Sequence, residues 1–116
     1  MKSSFGVVYD SLPAAGQAFF NACALFKEPR GDAWTFKYLD WKSGTRETKL
    51  ADLESLPDGP IRITVYRKDG KAWCDTSAVA GGPFEVPKGA AHESQKHVGV
   101  YVDTGSMTVH SFTMYK

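Results

Sequence analysis

Apolar and polar residues alternate most cleanly from Ala33 to Trp41. Trp34, Phe36 and Tyr38 fall on one face there, and Thr35, Lys37, Leu39 and Trp41 on the other. A period of two marks a strand whose faces meet different surroundings. The run "FGVVY", Phe5 to Tyr9, reads as a first short strand. Between the two, Leu12, Ala15, Phe19, Ala22, Cys23 and Phe26 recur at helical spacing. Asp10 or Ser11 suits the cap of such a helix, Pro13 its first turn, and Pro29 and Gly31 its end. A helix is therefore predicted from about Leu12 to Lys27.

After Trp41, Ser43-Gly44 offers a turn and "TRETKL" a returning strand. A two-residue turn would set Asp40 opposite Glu47, which like-charge pairing disfavours. A slipped register competes with that arrangement. So does a short helix over Lys49–Leu56, where Leu50, Leu53 and Leu56 stand three apart. The turn Pro57-Asp58-Gly59-Pro60 closes the segment. The strongest hairpin signal follows, with Asp69-Gly70 as the pair that a type I′ turn prefers. Such a turn pairs Lys68 with Lys71, Tyr66 with Trp73, Val65 with Cys74, and Thr64 with Asp75. Ile63, Val65, Ala72 and Cys74 then line one face, while Arg62, Tyr66, Lys68, Lys71 and Trp73 line the other.

From Ala78 to Gln95 the chain is rich in Gly, Pro and Ala with little periodicity, and a long loop is expected. Strands over His97–Asp103 and Met107–Tyr115 follow, with Thr104-Gly105 as their turn, which pairs Val102 with Met107 and Val100 with Val109. The predicted fold class is α+β: a single twisted antiparallel sheet of about five to seven strands, with one main N-terminal helix packed on one face. The strands from Ile61 onward form a meander. With 116 residues the chain is expected to be one globular domain, 1–116.

Charge narrows the function classes. Fourteen basic residues against thirteen acidic ones argue against a strongly basic nucleic-acid binder and against an acidic mimic of DNA. Met1-Lys2-Ser3-Ser4 opens no apolar export segment, and no apolar run approaches a membrane span. The expectation is a cytoplasmic protein with no membrane association. Cys23 and Cys74 lie far apart in unlike contexts, so two reduced, buried thiols are expected.

Candidate chemistry is sparse. Asp103-Thr104-Gly105 after an apolar strand resembles the active loop of retroviral-type aspartic proteases. That family needs a flap and framing strands after the motif, whereas thirteen residues follow Asp103 in this chain of 116. A structural turn is the better reading. The stretch "HESQKH" is not His-Glu-x-x-His, since one residue too many separates His92 from His97. The proposed register does make His97 and His110 diagonal neighbours. A metal or small-ligand site, enzymatic or not, built from His92, His97 and His110 beneath the 78–95 loop is the alternative reading. Cys74 faces inward with Val65 by the hairpin register, where a thiol is inert. Gly81-Gly82-Pro83 lacks the lysine and the strand-to-helix setting of a phosphate loop. No cofactor is implied.

The other face of the hairpin holds more. Tyr66 and Trp73 stack across strands there, ringed by Arg62, Lys68 and Lys71. Tyr, Trp and Arg dominate protein hot spots, and cations interleaved with aromatics also hold single-stranded nucleic acid. The rival reading puts Tyr66 and Trp73 into a second small core beneath the loop or the Leu50–Leu56 segment. The leading expectation is a small cytosolic, non-catalytic protein that docks on a protein or a ribonucleoprotein complex through Arg62, Tyr66, Lys68, Lys71 and Trp73. Phage or mobile-element inhibitors of the anti-CRISPR or anti-defence type match its size and its lack of catalytic motifs. Direct binding to nucleic acid has weaker support.

Overall fold

The computed structural model describes residues 4–12, 19–29, 31–41, 45–68, 71–86 and 97–103. These residues form eight strands and no helix. They are β1 (Ser4–Leu12), β2 (Phe19–Lys27), β3 (Trp34–Trp41), β4 (Thr45–Leu53), β5 (Ile63–Lys68), β6 (Lys71–Thr76), β7 (Phe84–Glu85) and β8 (His97–Asp103). A five-stranded antiparallel sheet has the order β4-β3-β2-β1-β8, and a three-stranded one the order β5-β6-β7.

The predicted helix is overturned. Residues 10–12 continue β1, and Phe19–Lys27 is the central strand β2, paired with β1 on one side and β3 on the other. Residues 13–18, with the expected Pro13 turn, lie outside the described residues. The physical reason is burial on both faces. Cys23 and Leu25 point into the core between the sheets, while Ala22, Ala24 and Phe26 join Leu39 and Val8 in a second cluster on the opposite face. A strand buried on both sides is apolar at every position, so its pattern resembles that of a helix. Among the described residues the α+β class accordingly gives way to an all-β one.

The single-sheet expectation is overturned as well. The core holds Tyr9, Cys23, Leu25, Phe36, Tyr38 and Leu53 from the larger sheet together with Cys74 of the smaller one and Val86 just after β7. The two sheets therefore pack face to face. The chain leaves β4 for the second layer through Pro57-Asp58-Gly59-Pro60, where Gly59 takes a φ of 87° that favours glycine. A polar pair is buried in the larger sheet, where the Tyr38 hydroxyl donates to Asn21 Oδ1 at 2.5 Å.

Across this interface Cys23 and Cys74 form a disulfide, with Cα atoms 5.7 Å apart and a sequence separation of 51. Both residues are fully buried. The reduced-thiol expectation is thus corrected. With Cys23 on a helix the two cysteines had unrelated settings; with Cys23 on a strand facing the second sheet, they meet within ordinary disulfide reach.

Smaller corrections share one cause, the limits of local pattern. No helix forms over Lys49–Leu56, since β4 runs through Leu53. A β-bulge between the partners of Phe36 and Lys37 leaves Leu50 as the extra residue, and Leu50, Ala51 and Leu53 all pack on the core. The register has slipped so that Asp40 stands opposite Arg46 and Glu47 opposite Leu39, which removes the like-charge pair. The 78–95 loop is not featureless: Phe84–Glu85 pairs with β6, Phe84 packs on the core, and Val86 is buried. Nor does the meander continue to the end, because β8 leaves the smaller sheet and pairs with β1.

At Gly6, β1 and β2 approach closely. A Cβ there would collide with the Cys23 carbonyl oxygen and lie 2.6 Å from Ala24 Cα and 2.7 Å from Ala24 Cβ. Two of these are backbone atoms in a central strand pair, which cannot swing aside. We expect Gly6→Ala to cost about 1–3 kcal/mol or more in denaturant unfolding. An unchanged midpoint would show that the strands can separate freely at this point.

Candidate functional site

The hairpin register is the one that Asp69-Gly70 implies: Lys68 opposite Lys71, Tyr66 opposite Trp73, Val65 opposite Cys74 and Thr64 opposite Asp75. Residues 69 and 70 themselves lie outside the described residues. The inner face is as expected, with Cys74 buried and Ile63, Val65 and Ala72 packed on the core. By strand alternation, Arg62, Tyr66, Lys68, Lys71 and Trp73 occupy the opposite, outer face of the smaller sheet. The five sequence candidates are thus brought onto one surface.

Exposure separates their roles. Tyr66 is 48% exposed, a large ring offered to solvent. Arg62, Lys68 and Lys71 are exposed, while Trp73 is half-buried and belongs to neither buried cluster. A second core around Tyr66 and Trp73 is therefore absent among the described residues. The disulfide at Cys74 pins β6 to the larger sheet directly beside Trp73, and this fixes which way the indole faces.

Sequence reasoning missed one member of the surface. Glu85 on β7 pairs with Trp73 across the sheet, and its carboxylate lies 3.9 Å from Lys71 Nζ. A two-residue strand between prolines has no readable period, so Glu85 carried no signal. The start of the sheet is tied by a reciprocal pair in which Ser77 N donates to the Arg62 carbonyl at 2.9 Å and Arg62 N donates to Ser77 Oγ at 2.8 Å.

The remaining candidates do not converge. His97 stands opposite Ser11 on the β1–β8 pair, while His92 and His110 lie outside the described residues. Among the described residues no group of three His, Cys, Asp or Glu side chains is placed to hold a metal. Asp103 stands opposite Ser4 at the end of β8. The Thr104-Gly105 turn and the pairings of Met107 and Val109 fall outside the described residues. Cys74 is no nucleophile, since its sulfur is bonded. An open depression by β3 and β4, lined by Glu28, Trp34, Lys37, Glu47, Lys49 and Asp52, has two ion pairs along its wall. Lys37 lies 3.8 Å from Glu47, and Lys49 3.1 Å from Asp52. No helix among the described residues is long and apolar enough to cross a membrane. Comparison of the chain with protein-family models, with curated proteins and with solved structures finds no match.

Proposed function

We propose that this chain is a non-catalytic binding protein that docks on an acidic surface of a partner protein through the outer face of its three-stranded sheet. The observation that carries the reading is the exposed Tyr66 and half-buried Trp73 side by side on β5 and β6, set among Arg62, Lys68 and Lys71. Aromatic anchors within a cationic rim combine short-range affinity with electrostatic steering. The inhibitor type of binder rests on size and on the lack of catalytic motifs, and this surface does not select it. The Cys23–Cys74 bond bears on the setting. Reducing compartments keep thiols apart, so the bond supports folding under oxidising conditions over the cytoplasmic setting that the reduced-thiol reading implied.

The test is a set of variants followed by both binding and thermal melts. Trp73→Ala should weaken partner binding by about 2 kcal/mol, the scale of a hot-spot anchor. A Lys68→Glu/Lys71→Glu double change should slow association, and the effect should shrink at high salt. Neither change should shift the melt by more than a few degrees. Unfolding by Trp73→Ala, with binding indifferent to the charge reversal, would return Trp73 to a structural role. Tighter binding to oligo-deoxythymidine than to poly-glutamate would reassign the surface to nucleic acid.

A further inference from the structure

We infer that the outer edge of β5 receives an extended, acidic segment of the partner as an added strand; this deepens the docking reading and rests on it. β5 ends the order β5-β6-β7, and no strand of the described residues pairs with its far side. The bond from Ser77 N to the Arg62 carbonyl, with Arg62 N donating to Ser77 Oγ, makes Arg62 and Ser77 a bonded pair on the β6 side of β5. In an antiparallel ladder these pairs alternate, so Thr64, Tyr66 and Lys68 also face β6, while the backbone groups of Ile63 and Val65 face away. The bond from Val86 N to the Ala72 carbonyl agrees, because Ala72, opposite Arg67, directs its carbonyl to β7 and not to β5.

The edges of the fold are not treated alike. β4 ends the larger sheet with a bulge at Leu50 and with exposed Glu47, Lys49 and Asp52, which are the usual guards against strand addition. β7 is only two residues long. By contrast, β5 runs six residues in unbroken register with no bulge. From Ile61 to Lys68 the chain has no acidic residue, and Arg62 and Lys68 share the outer face. A strand laid along it meets a ladder that no strand of the described residues occupies, and on the outer side an exposed tyrosine ring between Arg62 and Lys68. Main-chain bonds then supply affinity while alternate side chains supply choice, and carboxylates at every second position are the complement.

The experiment uses the full chain and a short synthetic peptide that alternates Glu with Val, beside a Lys–Val version. Two N-methylated forms of the acidic peptide each block one of its edges. We expect the acidic peptide to bind and the Lys–Val peptide not to. The Ile63 and Val65 amides should exchange about tenfold more slowly or better when the peptide is bound, with Thr64 and Tyr66 little changed. Blocking one of the two peptide edges should abolish binding. If the acidic peptide binds but the Ile63 and Val65 amides are unaffected and both methylated forms bind as well, strand addition is overturned and side-chain docking stands. Equal binding of the acidic and basic peptides, or binding of neither, overturns both.

Discussion

Replacing both cysteines, Cys23→Ala/Cys74→Ala, should lower stability by about 4 kcal/mol, the chain-entropy value for opening a loop of this length. The bond spans 51 residues and ties β2 of one sheet to β6 of the other. Without it the denatured chain gains freedom, while the native state loses its one covalent link between layers. Against a total of roughly 5–15 kcal/mol for a domain of ordinary stability, that is a large fraction. The melting temperature should fall by on the order of 15 °C. Reducing the wild-type chain under mildly denaturing conditions should reproduce the shift. Trp73 flanks Cys74, so the partner-binding surface should loosen at lower denaturant than in the oxidised protein. A stability change under about 1 kcal/mol would mean that the sheets hold their packing without the bond, and two free thiols found by titration of the unreduced, denatured chain would remove the bond altogether.

Phe36→Ala should be nearly as damaging, at about 3–5 kcal/mol. Phe36 is fully buried at the centre of β3 and meets Phe84 of β7 edge-on, with ring centroids 6.2 Å apart. The substitution removes a large apolar volume and strips the aromatic partner that seats β7. Val86 N, bonded to the Ala72 carbonyl at 3.0 Å, should then exchange faster than in the wild type. Phe36→Leu keeps most of the volume and should cost under about 2 kcal/mol. A double-mutant cycle with Phe84→Ala should return a coupling of about 0.5–1.5 kcal/mol. Loss of less than about 1 kcal/mol in Phe36→Ala would show that the two layers are not closely packed at this point. Glu85 sits next to Phe84 and flanks Trp73, so the outer face depends on what lies beneath it.

The β5–β6 register was legible because the Asp69-Gly70 turn leaves one pairing, and that pairing puts Cys74 inward and Tyr66 and Trp73 outward. The faces of β3 were legible because Trp34, Phe36 and Tyr38 alternate with Thr35, Lys37 and Leu39. Even the slip between β3 and β4 left a trace, in the clash of Asp40 with Glu47 that the naive turn requires. By itself, then, the sequence determined where strands with unlike faces lie, how the central hairpin pairs, and which five side chains share its outer face. Tertiary structure decided the rest. Whether Phe19–Lys27 is a helix or a strand depends on whether both its faces are covered, and cover comes from residues distant in sequence. The same holds for Phe84–Glu85, too short to show a period, and for the step at Pro57–Pro60 that starts a second layer instead of extending the first. The disulfide followed only from these decisions. A bond needs two sulfurs in reach, and Cys23 comes within reach of Cys74 only when β2 is a strand and the sheets stack face to face.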